Sequence, residues 1–338
     1  MSSIFPLFKL PILCIHSILC SSEIDHLICI STLSRRCYRV IQSLKSTLTG
    51  INVYVRIGKT VVTFNRKSEI TGLWCLTQWK GVLIEKNLKL FPEKRHFPRL
   101  TKENNPQLVV KAGIKHLMEL FKLTTVHQFI IIAENLPSTL NVLVVEECEL
   151  LRIAGTQPIP NRLLADVLYN TKTERVKVGL TEPNFELDPH RLNAKHLNCR
   201  NSLWFTGQLL FNLNFSSLIV SQSSVSADET VKFVQRWIDS DTVEFEYMLI
   251  TNTNNDKNFA SWRIFENWQL EPWSEQRRSR FYEADDNLAI DLKPGKDILR
   301  KDGLWATICL FSDGMFFGVW HKKFHDVGGC TVVGQVED

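Results

Sequence analysis

The residues that could carry chemistry in this chain are scattered, and none of them falls into a catalytic pattern. The sequence contains no G-x-S-x-G nucleophile turn, no G-x-x-x-x-G-K-[ST] phosphate loop and no G-x-G-x-x-G dinucleotide loop. The acidic pairs Glu146–Glu147 and Asp285–Asp286 are adjacent in sequence, so their side chains diverge on a strand or a helix, and we expect them to be solvated. We therefore predict that the protein is not an enzyme.

Metal, cofactor and phosphate sites are also not predicted. The one tight histidine pair, His321 and His325, lacks the glutamate of an H-E-x-x-H helix and is interpreted as surface. The densest basic cluster consists of Arg277, Arg278 and Arg280. No glycine loop accompanies this cluster, so a solvated loop is favoured over a phosphate site.

The cysteines indicate a reducing compartment. There are nine, an odd number, and no C-x-x-C pair occurs among them. Cys14, Cys20, Cys29 and Cys37 lie among apolar residues at helical spacing, which predicts small core side chains. Because thiols without a pairing pattern suit a reducing environment, we predict an intracellular protein in the cytoplasm, the nucleus or both.

Composition excludes two classes of partner and favours a folded chain. Lys and Arg total 40 against 36 Asp and Glu, and a formal charge of +4 is too small and too dispersed for a nucleic-acid interface. No segment has eighteen consecutive apolar residues, so no membrane partner is predicted. With 338 residues and 44% hydrophobic content, the chain should form two or three folded units.

The N-terminal segment has the periodicity of three short helices. Pro11 suits a first helical turn, and apolar residues follow it at spacings of three and four. Ser22 and Asp25 have the form of a capping box for a second helix. The apolar positions of the third helix are Cys37, Val40, Ile41 and Leu44. Helices this short cannot bury enough surface alone, so the unit should lean on a partner or on a neighbouring domain.

A secretory signal is the alternative interpretation of this segment. Leu10 to Cys20 is an apolar run that follows Lys9, as in a signal peptide. Pro6 and Pro11, His16 within the run, and the absence of an A-x-A-like exit after Cys20 all count against a cleaved signal.

The rest of the chain alternates between strand and helix patterns. A hairpin is predicted around Gly58–Lys59, and a surface loop over the proline-containing residues 88–107. From Val110, helical patterns alternate with short apolar strands that begin every twenty to thirty residues or so. This spacing predicts a degenerate leucine-rich-repeat array, with a mixed α/β domain that forms no horseshoe as the alternative. Ser226 and Glu229 form a second capping box within the array.

The C-terminal part has the pattern of a three-stranded meander. Asp302-Gly303 and Ser312-Asp313-Gly314 separate alternating apolar runs, which is a strong hairpin signal. Trp305, Phe311, Phe317 and Trp320 are expected to pack across the strands.

The N-terminal helices resemble an F-box. The similarity lies in Leu10-Pro11, Ile15, Ile18-Leu19, Asp25-x-Leu27 and Leu33-Ser34-Arg35-Arg36-x-Tyr38-Arg39, although Leu13-Cys14 stands where many F-boxes carry a glutamate. In that family the helices pack against the Skp adaptor, which links them to a cullin scaffold. The resemblance therefore implies an adaptor-binding role for seven residues, namely Leu10, Pro11, Ile12, Ile15, Leu19, Leu27 and Leu33.

A second resemblance covers most of the remaining chain, which is similar to the F-box-associated domain of a large nematode family of F-box proteins. Its most specific pieces are Ser226-Ala227-Asp228-Glu229, Phe233-x-x-x-Trp237-Ile238, Phe245-Glu246-Tyr247 and the tail from Asp297-Ile298-x-Arg300 to Val319-Trp320-His321. The expected fold class is α+β. It comprises an F-box-like helical domain over residues 4–46 and an F-box-associated domain over 50–338, with a repeat-like body near 108–252 and an antiparallel meander near 296–322.

What these resemblances imply is a substrate-recognition subunit of a Skp–cullin–F-box ubiquitin ligase that holds a protein target through its C-terminal domain. The alternatives are an intracellular scaffold that does not engage the ligase, and a secreted protein with a cleaved signal. The sequence contains no feature that identifies the target.

Overall fold

The computed structural model describes residues 9–66, 69–77, 106–137, 142–252, 259, 261–285, 288–321 and 331–333. It divides into two compact units, the first over residues 1–156 and 162–173 and the second over 157–161 and 174–338. Most of the predicted loop over 88–107 lies outside the described residues, and so does His325. The predicted domain boundary near residues 46–50 stays a prediction, because compactness does not test whether the helices fold alone.

The first unit begins with the three predicted helices, α1 (Ile12–Cys20), α2 (Ile24–Ser31) and α3 (Arg35–Ser43). Ser34 caps α3, since its Oγ accepts a hydrogen bond from the backbone N–H of Cys37. The predicted capping box at Ser22 is wrong. Glu23 is the N-cap residue of α2 and makes no side-chain cap bond, while the Ser22 hydroxyl donates backwards to the carbonyl of Ile18 at 2.9 Å.

A five-stranded mixed sheet follows the helices in the first unit. Its members are β1 (Gly50–Arg56), β2 (Lys59–Arg66), β3 (Glu69–Thr77), β4 (Val126–Ile132) and β5 (Leu150–Ala154), in the spatial order β3-β2-β1-β4-β5. The predicted hairpin is β1–β2, and Gly58 supplies the left-handed backbone of its turn with φ 67°. Helix α4 (Pro106–Phe121) precedes β4, and α5 (Asn161–Asn170) follows β5.

The second unit starts with four parallel strands that neighbour one another in chain order. They are β6 (Arg175–Val178), β7 (His196–Cys199), β8 (Ser217–Ser223) and β9 (Tyr247–Asn252). Helices α6 (Gly207–Asn212) and α7 (Ala227–Asp239) connect the last three of them, whereas residues 179–195, all described, contain no helix. The capping box of α7 is confirmed: Ser226 Oγ accepts from Glu229 N–H, and Glu229 accepts from Ser226 N–H at 2.8 Å.

The C-terminal half of the second unit contains the predicted antiparallel meander. A short 3-10 helix (Trp262–Phe265) and β10 (Glu271–Pro272) precede it, and its strands are β13 (Lys296–Leu299), β14 (Trp305–Leu310) and β15 (Gly314–Val319). Strand β15 pairs antiparallel with β9, so meander and parallel strands form one mixed sheet. A separate small sheet comprises β11 (Phe281–Asp285), β12 (Leu288–Asp291) and β16 (Thr331–Val333).

The aromatic residues of the meander divide between its two faces, which corrects part of the prediction. Trp320 packs with Tyr282 and Phe316, and Trp305 and Phe311 pack against the same cluster. Phe317 instead stacks on Phe245 on the other face, at a centroid distance of 5.7 Å. The reason is the strand period of two, which places Phe316 and Phe317 on opposite sides of β15.

The arginine cluster is not the solvated loop that was predicted. Arg278 is 1% exposed, and its Nε donates to Asp297 Oδ1 at 2.8 Å. Arg280 makes a bidentate ion pair with Asp291, with contacts of 2.6 to 3.1 Å. Burying a guanidinium is costly unless a carboxylate accompanies it, and here the carboxylates come from β12 and β13. Arg278 and Arg280 therefore form ion pairs within the second unit that hold their segment to β12 and β13.

Candidate functional site

The seven residues predicted to bind the adaptor differ in their exposure. Ile12 and Leu33 are 53% and 75% exposed, and Pro11 is also exposed. Leu10 and Leu27 are half-buried. Ile15 and Leu19 are buried, at 3% and 1%. In this conformation only part of the predicted set is available to another protein.

The inner face of the three helices is occupied by the first unit itself. Ser31 Oγ lies 3.2 Å from His116 Nε2 of α4, and the ring of Tyr38 lies 5.3 Å from the His116 ring. Gln42 Nε2 donates to the carbonyl of Glu119 at 3.2 Å. Burial lowers the pKa of His116, while nearby Glu119 opposes the shift, so at neutral pH the contact is to an uncharged ring. These bonds tie α2 and α3 to α4.

Helix α1 carries further exposed apolar side chains that were not predicted as site residues. Leu13 is 78% exposed and Ile18 is 41% exposed. Cys14 and Cys20 are exposed as well, so their predicted place in the core is wrong. A signal for this was present in the sequence, because α1 is apolar on nearly all sides whereas a helix on a protein surface normally has a polar face.

Glu23, Asp25 and His26 are the one group of metal-ligand residue types that comes together in the part of the chain described. Their ligand atoms lie within 4.8 Å of one another at the start of α2. Acidic side chains are favoured at this end of a helix by the helix dipole, which accounts for them without an ion. We assign no metal to this group.

A polar cavity of about 350 Å³ lies within the second unit, over one face of the parallel strands. The strand register places Arg175, His196, Ser217 and Tyr247 opposite one another, one from each of β6 to β9. All four line the cavity, and strand β11 contributes Glu283, Ala284 and Asp285. The four strands thus line the cavity with a row of polar side chains, of which Ser217 and Tyr247 are buried.

Asp285 forms the wall of this cavity, and it is not the solvated acid that was predicted. Its Oδ1 accepts from Lys177 Nζ at 2.9 Å, and its Oδ2 accepts from Asn198 Nδ2 at 3.0 Å. Arg175 lies 3.7 Å from the same carboxylate, whose side chain is 12% exposed. A bulge in β11 between Glu283 and Asp285 interrupts the regular alternation of side chains between the two faces of that strand.

The middle of the row is a short hydrogen-bonded chain. His196 Nδ1 lies 2.8 Å from Ser217 Oγ, and Ser217 also bonds to the hydroxyl of Tyr247. Burial is the largest cause that raises the pKa of Tyr247, and the carboxylates of Asp285 and Glu246 add to it. Tyr247 is therefore a neutral donor and acceptor at physiological pH. Because Ser217 is only 4% exposed, it is placed to position its neighbours and not to attack a substrate.

Comparison of the chain with protein-family models, with curated proteins and with solved structures found no match. No helix among the described residues has both the length and the apolar character needed to span a bilayer.

Proposed function

We propose that this protein is a substrate-recognition subunit of a Skp–cullin–F-box ubiquitin ligase. The N-terminal helices bind the Skp adaptor, and the C-terminal domain, a leucine-rich-repeat-like F-box-associated domain, binds a protein target. The chain needs no catalytic centre, cofactor or metal of its own in this role. Its contribution is proximity, because a held target presents its lysines at high effective concentration to a ubiquitin-charged enzyme.

The observation that carries this proposal is the apolar outer surface of the N-terminal helices. Four of the large hydrophobic side chains exposed in the described residues fall between residues 12 and 33, and they are Ile12, Leu13, Ile18 and Leu33. Exposed apolar groups in such density favour an interaction surface, since burying each of them contributes about 1.5–3 kcal/mol when complete. Pro11 and Ile12 at the start of α1 belong to the F-box-like segment.

Parallel strands in chain order support the second half of the proposal. Strands β6 to β9 begin at residues 175, 196, 217 and 247, close to the predicted repeat spacing. Stacked helix–strand units of this kind expose one strand-lined face, which suits the capture of a protein partner.

An intracellular scaffold that does not engage the ligase is the second candidate. The contacts of Ser31 and Gln42 with α4 favour it, because they are what a helical cap on the following domain would make. A secreted protein is less well supported, since cleavage after the apolar run would remove Ile15 and Leu19 from the core of the first unit. Sequencing the N-terminus of the mature chain distinguishes this last alternative.

The adaptor proposal is tested by co-purification from cells that express the tagged chain. The variant Ile12→Asp with Leu33→Asp places two carboxylates on the outer surface, where both side chains are more than half exposed, so folding should be preserved. The control is Ile57→Asp, because Ile57 is 50% exposed in the turn between β1 and β2. We expect the double variant to lose Skp and cullin while the control retains both.

Equal recovery of the adaptor with the double variant and the control would contradict adaptor binding through these helices. Substitution of Ile15 is unsuitable for this purpose, because a carboxylate at a 3% exposed position would unfold the helices and remove binding indirectly.

A further inference from the structure

The lining of the cavity in the second unit carries more negative than positive charge. The charged residues that line it come from the parallel strands and from β11, and they are Arg175, Lys177, Glu246, Glu283 and Asp285. At neutral pH these are two cations and three carboxylates, which leaves a formal excess of one negative charge. A cationic ligand is therefore favoured over an anionic one.

The two cations are already held by an acid of the opposite wall, whereas two of the acids have no such partner. Lys177 Nζ lies 2.9 Å from Asp285 Oδ1, and Arg175 Nη2 lies 3.7 Å from the same oxygen. Glu246 and Glu283 form no ion pair and no side-chain hydrogen bond with any residue that the structure describes. A carboxylate only accepts hydrogen bonds, so both acids are suited to a ligand that donates them.

The β9 end of the cavity is the more negative end. The register places Arg175 three strand spacings from Tyr247, which is roughly 14 Å at about 4.8 Å each. Glu246 immediately precedes Tyr247, and charges separated by more than about 8–10 Å are largely screened at physiological salt. A cation beside Glu246 is therefore repelled only weakly by Arg175.

The electrostatics of Tyr247 agree with this distribution. Burial is the largest cause that raises the pKa of Tyr247. Among the charges, the carboxylates of Asp285 and Glu246, which raise this pKa, act more strongly than Arg175, which lowers it. The floor of the cavity thus lies in a net negative field.

The volume of the cavity limits the size of the ligand. About 350 Å³ is the space of roughly a dozen water molecules, which excludes a peptide of several residues. A bare divalent metal ion is not favoured either, because the acids and the histidine of the cavity, all of them described, do not bring three ligand atoms within 4.8 Å of one another. A small organic molecule fits both limits.

We propose that this cavity binds a small organic cation with N–H donors, a primary ammonium or guanidinium compound of roughly a dozen non-hydrogen atoms. Its charged group donates to the carboxylate of Glu246, and Glu283 faces it from β11. His196 Nε2 makes no hydrogen bond to a described residue and provides a further polar contact. Ser217 and Tyr247, which bond to each other, form the buried floor. This site is independent of the proposed role in a ubiquitin ligase.

The test is isothermal titration calorimetry of the purified full-length chain at low ionic strength with four compounds within the size limit. Tyramine carries an ammonium group, and agmatine carries a guanidinium and an ammonium group. Tyrosol matches tyramine but has a hydroxyl in place of the ammonium, and 4-hydroxyphenylacetate has a carboxylate there. We expect at least one of the two cations to bind about ten-fold or more tightly than the neutral and anionic compounds, and added salt to weaken its binding.

Charge removal in the protein provides the matched variants. Glu246→Gln should weaken binding of the cation about ten-fold, whereas Glu186→Gln, exposed and outside the cavity, should leave it unchanged. Arg175→Gln should bind the cation at least as tightly as the wild type, because the lining loses a positive charge. Circular dichroism checks that each variant is folded. If Glu246→Gln does not fold, Glu283→Gln applies the same test from the facing wall.

The site is refuted if neither cation binds, or if tyrosol or 4-hydroxyphenylacetate binds as tightly as the cations. It is also refuted if folded Glu246→Gln binds the cation like the wild type, or if folded Arg175→Gln binds it more weakly. A preparation that captures the adaptor but neither cation overturns the site and leaves the adaptor proposal standing. A preparation that binds a cation without the adaptor supports the site and overturns the proposed function.

Discussion

Replacing Arg278 with methionine should severely destabilise the second unit. Arg278 is 1% exposed, and besides Asp297 it donates to the carbonyls of Ser279 at 3.0 Å and Leu292 at 3.1 Å. Asp297 is also 1% exposed and accepts from the Thr307 hydroxyl at 2.7 Å. Methionine fills much of the space but removes the nearer of two counter-charges from the buried Asp297 carboxylate and leaves only Arg277, whose Nε lies 3.3 Å from Oδ2.

The expected loss is about 3–5 kcal/mol in the free energy of unfolding, the usual cost of removing one partner from a buried pair. At a urea dependence of about 2 kcal/mol per molar, this lowers the unfolding midpoint of the second unit by roughly 2 M. Near-ultraviolet circular dichroism is a suitable probe, because Trp320 donates to Thr307 in the same network at 2.7 Å.

Two comparisons make the result specific. Arg263→Met changes an exposed arginine of the same unit and should alter stability by no more than about 0.5 kcal/mol. Arg278→Met combined with Asp297→Asn removes both charges, so it should be more stable than Arg278→Met alone. If Arg278→Met unfolds at the same urea concentration as Arg263→Met, the buried ion pair does not have the role described here.

Three further predictions concern other parts of the chain. Phe317 is fully buried against Trp237 and Phe245, so Phe317→Ala should lower the free energy of unfolding by about 3–5 kcal/mol, as measured by thermal or urea unfolding. A loss below about 1 kcal/mol would contradict the packing of Phe317 against these two rings. In the native protein a maleimide should label the exposed Cys14 and Cys20 but not Cys199, because burial raises the pKa of the Cys199 thiol to about 12. Bound adaptor should slow the labelling of Cys14 and Cys20, and mass spectrometry identifies the labelled sites. Hydrogen bonds from Arg300 hold the pKa of Asp302 at about 2, below its ordinary 3.8, so this contribution to stability is complete above about pH 5 and is lost as pH falls through 3.8 towards 2. In thermal melts from about pH 5 to about pH 2, Asp302→Asn should flatten the pH dependence of the melting temperature, and an unchanged slope would refute this role of the pair.

Local signals in the sequence were sufficient for several elements of the fold. The β1–β2 hairpin follows from Gly58, which adopts positive φ, and the start of α7 follows from Ser226 and Glu229, three residues apart. Turn residues also gave the three strands of the C-terminal meander. In each of these cases the groups that interact are close in sequence, so composition and spacing contain the needed information.

Pairing between distant residues was not predictable in the same way. Lys177 and Asp285 are 108 residues apart, and no pattern in the sequence links them. The arginine cluster was interpreted as solvated because its carboxylate partners, Asp291 and Asp297, come from later strands. The polar cavity likewise depends on the register of four strands and a bulge in a fifth.

The arrangement of the N-terminal helices was predicted in part, and adaptor binding by them stays a prediction. The Leu10-Pro11 start and the positions of the three helices were predicted from the sequence, but helical periodicity does not say which apolar side the protein itself buries. The structure places Ile15 and Leu19 inward and leaves Ile12, Leu13 and Leu33 outside. The exposed apolar surface of the N-terminal helices therefore has fewer of the seven predicted residues than the motif implied, and it includes Leu13, which was not among them.

Adaptor affinity of the purified chain is the most direct test of the proposed function. In isothermal titration calorimetry, a Skp adaptor should bind the wild-type chain and Ile57→Asp equally, with one adaptor per chain. Ile12→Asp with Leu33→Asp should bind at least about 30-fold more weakly, because two partly exposed side chains lose about 2 kcal/mol or more of apolar burial together. Absence of binding by the wild-type chain, or equal affinity for the double variant, would contradict the assignment to a ubiquitin ligase.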